Sequence, residues 1–147
     1  MYKHILIPTD GSALSEVAIR QGIAFARAIR AKVTALAVSP SFHAFDVDPL
    51  MVGYTLSPEQ YAASSAARAE EYLAVARVQA GIAGVPCETL HVTRDHVYDA
   101  IIDTATKKGC DLIFMASHGR RGISAFVLGS ETYKVLSHSK IPVLVCR

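Results

Sequence analysis

The sequence predicts an α/β fold, a doubly wound five-stranded parallel sheet with strand order 3-2-1-4-5 and helices on both faces. Short continuous apolar runs alternate along the chain with longer stretches in which apolar residues recur every three or four positions. The first pattern is typical of strands covered on both faces, and the second is typical of helices. The segments between the runs are long enough for right-handed crossovers, which leave few arrangements of five parallel strands. The order 3-2-1-4-5 is a common one of these.

The N-terminal half of the chain provides the first two strands and the first two helices. Ser12 and Ser57 are the predicted N-caps, because a serine oxygen accepts a hydrogen bond from the first turn of a helix. Ser57 is followed by proline and then by Gln60, which is a capping-box pattern. Residues 40–56 show no periodicity and form the longest predicted loop. The predicted elements are a strand at 4–7, a helix over 14–29, a strand at 33–38 and a helix from 58 to about 80.

The C-terminal half continues the alternation with three strands and two helices. Asp95 is the predicted N-cap of the third helix, which ends at Gly109. The predicted elements are a strand at 89–92, a helix over 97–108, a strand at 112–115, a short helix at 130–137 and a strand at 143–145. In the order 3-2-1-4-5, this last strand lies at an edge of the sheet.

Composition limits the classes of protein to which the chain can belong. Its 147 residues, of which 51% are hydrophobic, predict one domain over 1–147. The net charge of +2 is too small for a dedicated nucleic-acid binder. The three cysteines are odd in number and widely separated, which excludes a disulfide framework and a CxxC zinc site, and the six histidines show no metal-binding spacing. No apolar run reaches the ~18 residues of a membrane span, so we expect a soluble cytoplasmic protein with no membrane partner.

Glycine and hydroxyl residues follow the first and fourth strands, which are neighbours in the predicted sheet. Their crossovers leave to opposite faces, and open α/β sheets bind ligands at such a switch point. Glycines allow backbone N–H groups to approach a phosphate, and a helix N-terminus adds positive potential. These features suggest a nucleotide, although the same glycines would also be found in ordinary turns. The segments concerned are 9–12, 116–122 and 129–132.

The chain resembles the universal stress protein family over its whole length, and this resemblance implies a Rossmann-like fold. The matching segments are residues 5–12, 111–120, 128–130 and 141–145. Nucleotide-binding members of the family carry a glycine, two residues, a second glycine, nine residues, and then glycine with serine or threonine. Here the second and third glycines are Gly119 and Gly129, followed by Ser130, whereas Ala116 occupies the first glycine position. The chain is therefore similar to the ATP-binding group with one departure.

The resemblance implies a set of ligand-binding residues and no catalytic or metal-ligating ones. Those expected around adenine and ribose are Pro8, Thr9, Asp10 and Val33. Those expected to line the loop after the fourth strand are Met115, Ala116, His118, Gly119 and Arg120. Those expected to hold phosphates are Gly129, Ser130, Glu131 and Thr132. The implied ligand is ATP, or AMP or ADP in its place, with Mg²⁺ bound through the phosphates.

Three functions are consistent with these residues. The first is a regulatory module of the stress response that binds an adenine nucleotide and is sensed by a partner protein. The second is a nucleotide-free homodimeric module in which Ala116 marks lost binding. The third is an enzyme, at most a slow ATPase, but the chain has no SGGxDS or HIGH-type loop and no GxSxG elbow. A homodimer is expected through the edge strand at 142–146, because an apolar edge without internal charges tends to be paired; the alternative is that the 40–56 loop or a helix covers it.

Overall fold

A computed structural model of the chain describes residues 1–43, 56–119 and 128–147. Five parallel strands form one sheet in the order β3-β2-β1-β4-β5, which confirms the predicted fold class and strand order. The elements, in chain order, are β1 His4–Thr9, α1 Ala13–Ile29, β2 Lys32–Ser39, α2 Pro58–Ala83, β3 Cys87–Thr93, α3 Val97–Lys108, β4 Leu112–Ala116, α4 Ser130–His138 and β5 Val143–Cys146.

The sheet separates two hydrophobic clusters, one on each face. Alternate residues of a strand point to opposite faces, so Ile5 and Ile7 of β1 join the cluster beneath α1 and α2, whereas Leu6 joins the cluster beneath α3 and α4. All three side chains are fully buried. Double-sided burial explains why the strands are continuous apolar runs in the sequence. None of the described helices combines the length and apolar content that a membrane-spanning helix needs.

The predicted N-caps are correct for α1 and α2. The Ser15 N–H donates to Ser12 Oγ at 3.2 Å, and Ser57 forms the full capping box, with Gln60 N donating to Ser57 Oγ and Ser57 N donating to Gln60 Oε1. Helix α2 is longer than predicted, because it continues through Gly81 and ends at Gly84, whose φ is 67°.

The predicted N-cap of α3 is wrong. His96 occupies the cap position and its side chain caps nothing, while Asp95 lies one residue outside the helix and contacts His43 at 2.9 Å. The acceptor for this helix comes instead from α4, where the Glu131 carboxylate accepts a hydrogen bond from Tyr98 N at 2.9 Å. A carboxylate at a helix N-terminus also interacts favourably with the helix dipole.

The cysteines are free thiols, as predicted, and two of the three are buried. Cys110 and Cys146 are buried, whereas Cys87 is only partly buried. Burial raises the pKa of all three thiols, that of Cys110 to about 11. The thiol of Cys110 is therefore protonated at neutral pH and serves as core packing.

Candidate functional site

The carboxyl ends of β1 and β4 lie side by side, since the two strands pair directly in the sheet. Strand β1 ends at Thr9 and β4 ends at Ala116. Both strand ends are buried, at Thr9 and Ala116, and the chain after β4 becomes exposed by Gly119. This is the switch point at which the sequence predicts a ligand.

The turn after β1 is held in a fixed shape by its own hydroxyl and carboxylate groups. Asp10 Oδ1 accepts from Ser12 N at 3.0 Å, and Thr9 Oγ1 accepts from Gly11 N at 3.3 Å. Gly11 has a φ of 73°, a conformation that favours glycine, and an added Cβ would overlap the Tyr72 ring of α2. The turn therefore presents Asp10 in a defined position above the sheet edge.

Asp10 meets the loop after β4 at Gly119. A Cβ atom added at Gly119 would overlap Asp10 Oδ2 and lie 3.3 Å from its Cγ. The carboxylate thus lies against the glycine backbone, and any side chain at position 119 would displace it. Two residues more than a hundred positions apart in the sequence therefore lie against each other, one from the turn after β1 and one from the loop after β4.

The loop after β4 is tied to the start of α4 by two hydrogen bonds. Gly129 N donates to Ser117 O at 2.8 Å, and Thr132 Oγ1 donates to Ala116 O at 3.0 Å. An added Cβ at Gly129 would lie 2.9 Å from His118 Cα, so glycine is required here by a close backbone approach. Ser117, which no sequence pattern singles out, is 3% exposed and also donates its N–H to Cys146 O.

Helix α4 begins at this junction without a side-chain cap. Its N-cap is Gly129, which has no side chain to accept a hydrogen bond, and Ser130 at the first helical position is exposed. The backbone N–H groups of a first turn need an acceptor and carry partial positive charge. An anionic group next to Ser130 would satisfy both requirements.

Two of the residues predicted to hold phosphates have other partners in the structure. The Glu131 carboxylate points to the start of α3 and also accepts from Lys134 Nζ at 3.1 Å. The Thr132 hydroxyl is 3% exposed and is used by its bond to Ala116 O. Both side chains hold the start of α4 in place, and the hydrogen bonds that they form are to other parts of the protein.

The predicted place of Val33 is wrong. Val33 is 1% exposed and pairs with Ile5 near the amino end of the sheet, whereas Thr9 pairs with Ala37. Four residue pairs along a strand correspond to about 13 Å, which puts Val33 out of reach of the site. The residue of β2 that follows the partner of Thr9 is Val38, which is half-buried. The pairing register between β1 and β2 therefore puts Val38, and not Val33, near the end of β1.

The remaining predicted residues fall into three groups. Pro8 is half-buried in β1, and Met115 is buried in β4, where it belongs to the cluster beneath α3 and α4. His118 is half-buried, and its Nδ1 lies 3.2 Å from Ser117 Oγ. Arg120 lies outside the described residues.

Alanine at position 116 is compatible with its backbone conformation. Ala116 is the last residue of β4, where φ is negative, and Arg30 is the only non-glycine residue with positive φ in the described part of the chain. The residue is 9% exposed and belongs to the cluster beneath α1 and α2. It therefore packs into the core instead of straining the loop.

Comparison with known proteins gives one family. The profile of the Universal stress protein family matches residues 1–147. Universal stress protein MJ0531 of Methanocaldococcus jannaschii is 32% identical over 149 residues, with 100% of this chain and 83% of the relative covered. Universal stress protein YxiE of Bacillus subtilis is 27% identical, with both chains covered completely.

Solved structures of the same family share the fold. The structure of protein MJ0577 of M. jannaschii superposes with a TM-score of 0.80 at 26% identity, covering 99% of this chain and 95% of the other. A universal stress protein in complex with cAMP superposes with a TM-score of 0.71, also at 26% identity, covering 99% and 97%.

Proposed function

The chain belongs to the universal stress protein family, and from this premise we propose that it is a regulatory module that binds an adenine nucleotide at the carboxyl ends of β1 and β4. The proposed ligand is ATP, with AMP and ADP as alternatives. The single observation that carries the proposal is the meeting of Asp10 with Gly119, beside a helix N-terminus that has no side-chain cap.

The chemistry of each part of the site fits one part of a nucleotide. A carboxylate accepts hydrogen bonds from ribose hydroxyls, and Asp10 is held for this by the turn after β1. Half-buried apolar side chains, Pro8 and Val38, offer a surface for the adenine ring. The N–H groups and the hydroxyl of Ser130 offer donors to phosphates, and Mg²⁺ would be held through those phosphates.

The comparisons support an adenine nucleotide as the ligand class. The related universal stress protein at 26% identity was solved in complex with cAMP, which carries both adenine and ribose. In our proposal Glu131 and Thr132 act as positioning residues, since their side chains hold the start of α4 in place. Arg120 remains in the proposal as a phosphate-neutralising side chain.

We propose that a partner protein senses whether the nucleotide is bound. The two sides of the proposed site belong to separate elements, the turn after β1 and the junction of β4 with α4, so a ligand that bridges them fixes their relative position. A partner that contacts both sides would then bind the protein with nucleotide better than the protein without it. The proposal contains no catalytic step. It places the protein in the cytoplasm, where free thiols stay reduced.

A homodimer through β5 is a second part of the proposal, and a specific observation favours it. Among the described strands β5 pairs only with β4, so one edge of Val143–Cys146 has no partner strand. Helix α4 shares a hydrophobic cluster with β5 through Val135, and its Tyr133 and Leu136 are 62% and 42% exposed. An open strand edge, together with exposed apolar side chains on a helix of the same cluster, fits pairing with the same surface of a second copy.

Nucleotide content of the purified protein tests the proposed ligand. We expect an acid extract of wild-type protein, prepared without dialysis, to contain adenine nucleotide, and an extract of Gly119→Val to contain almost none. The reason is that a side chain at 119 displaces the Asp10 carboxylate. Equal nucleotide in both extracts would place the ligand elsewhere, and none in the wild type would favour the nucleotide-free dimer.

A further inference from the structure

A second concave surface lies at the opposite edge of the sheet, where the strands begin. It is a cavity of about 440 Å³ between the end of α1, the start of β2 and the segment that follows α2. Four cationic residues line it, namely Lys3, Arg27, Arg30 and Lys32, and apolar atoms of Val85 and Pro86 form part of the wall. We call this surface the amino-edge cavity.

The four cations have no anionic partner within the parts of the chain that the structure describes. Six other lysine and arginine residues in those parts form ion pairs with carboxylates, yet these four form none. The Asp111 carboxylate lies near Lys3 but accepts hydrogen bonds from the backbone N–H groups of Lys3 and His4, and it does not line the cavity. Unpaired positive charge is therefore concentrated at one place in a chain whose net charge is only +2.

Backbone hydrogen bonds hold the chain segments that carry these cations. Lys32 N, at the start of β2, donates to Lys3 O, just before β1, at 3.0 Å, which holds the backbones of the two lysines side by side. Arg30 N donates to Arg27 O at 3.3 Å, and Ala31 N donates to Ala26 O at 2.9 Å, so two carbonyl groups of the last turn of α1 are already bonded. The end of the helix contributes a partial charge of about −0.5, which four full positive charges outweigh.

The backbone of Arg30 gives an independent indication that its side chain is used. Helices α1, α2 and α3 all end in the left-handed conformation, and α2 and α3 have glycine there, at Gly84 and Gly109. Helix α1 instead has Arg30, with φ 59° and ψ 41°. A side chain at this conformation costs stability relative to glycine, and such strain is concentrated at functional sites.

From the four unpaired cations and the strained Arg30 we propose that the amino-edge cavity binds a compact oligophosphate, a ligand with two or more linked phosphate groups. One guanidinium group can donate two parallel hydrogen bonds to phosphate oxygens, and lysine ammonium groups add positive charge. The volume is within the range of small-ligand sites, and the four charges suit a short chain of phosphates. The phosphates come either from a free oligophosphate or from the phosphate tail of a nucleotide.

Titration with inorganic triphosphate tests the proposal. We expect wild-type protein to bind it saturably, with an affinity that falls as salt is added, and Arg30→Gly to bind it about tenfold more weakly. Glycine relieves the backbone strain, so the melting temperature of Arg30→Gly should stay the same or rise by roughly 2 °C. Weaker binding by an equally stable protein separates ligand contact from a folding defect.

Arg68→Gln is the matched control, because Arg68 is exposed on α2, forms no ion pair with a described residue and lies outside the cavity. We expect it to bind triphosphate nearly as well as the wild type. Unchanged binding by Arg30→Gly, or an equal loss in Arg68→Gln, would overturn the proposal. Retained ATP binding by Arg30→Gly supports a free oligophosphate as the ligand, whereas a parallel loss of ATP binding supports a nucleotide tail in this cavity.

Discussion

Replacing Gly129 with valine is expected to lower the affinity for ATP by at least about 100-fold, which corresponds to about 2.7 kcal/mol. The Cβ of any larger residue would lie 2.9 Å from His118 Cα and 3.2 Å from Ser117 O. Because these are backbone atoms, the start of α4 must move away from the loop after β4. The hydrogen bond from Gly129 N to Ser117 O, 2.8 Å long, then lengthens or breaks, and the phosphate donors are displaced. Calorimetric titration of the variant measures the loss.

The fold should survive this substitution, because overpacking at one contact costs typically 1–3 kcal/mol. Gly81→Val is the matched control: an added Cβ at Gly81 meets no atom within 4 Å, and this glycine lies on α2. We expect the control to bind ATP as the wild type does. ATP affinity that is unchanged in Gly129→Val would mean that the phosphates do not lie at the start of α4.

Replacing Leu144 with lysine is expected to convert a dimer into a monomer. Leu144 is at the centre of β5, where it pairs with Phe114 of β4 on one side and has no described strand on the other. A lysine there adds a charge beside the edge that we propose to pair with a second copy, and like charges would face each other across the two-fold axis. Light scattering at tens of micromolar protein gives the mass of each form.

Leu144 also packs against the cluster beneath α1 and α2, so the variant needs a companion that leaves the core alone. Leu136→Lys is that companion, since Leu136 is 42% exposed on α4, and Ile82→Lys, at a side chain 79% exposed on α2, is the control. We expect the companion to weaken the dimer and the control to leave it intact. A monomeric wild type would contradict the proposed interface, and so would dimers that persist in both Leu144→Lys and Leu136→Lys.

The order of the strands could be predicted because it depends on patterns that the sequence displays directly. Continuous apolar runs mark strands covered on both faces, and right-handed crossovers restrict how they are arranged. The same reasoning placed Asp10 near Gly119, since neighbouring strands with parallel direction end at the same edge. These conclusions need no knowledge of where individual side chains point.

Side-chain partners between distant elements could not be predicted in this way. The family resemblance places Glu131 at the phosphates from its position in the sequence alone, but the packing of α4 against α3 brings its carboxylate to Tyr98 N. Asp95 was a good capping residue type, yet α3 begins two residues later. Val33 was misplaced because a motif position was carried over without the register between β1 and β2. The left-handed backbone of Arg30 has no sequence signal at all.

Calorimetric titration of nucleotide-stripped wild-type protein with ATP and Mg²⁺ tests whether the carboxyl ends of β1 and β4 bind a nucleotide. We expect saturable binding with close to one ATP per chain, because Asp10 and Gly119 meet at one place in each copy. Inorganic triphosphate added beforehand controls for the amino-edge cavity and should leave this binding in place. If no saturable heat is measured at several temperatures, with the protein folded and at high concentration, the proposed nucleotide site is wrong.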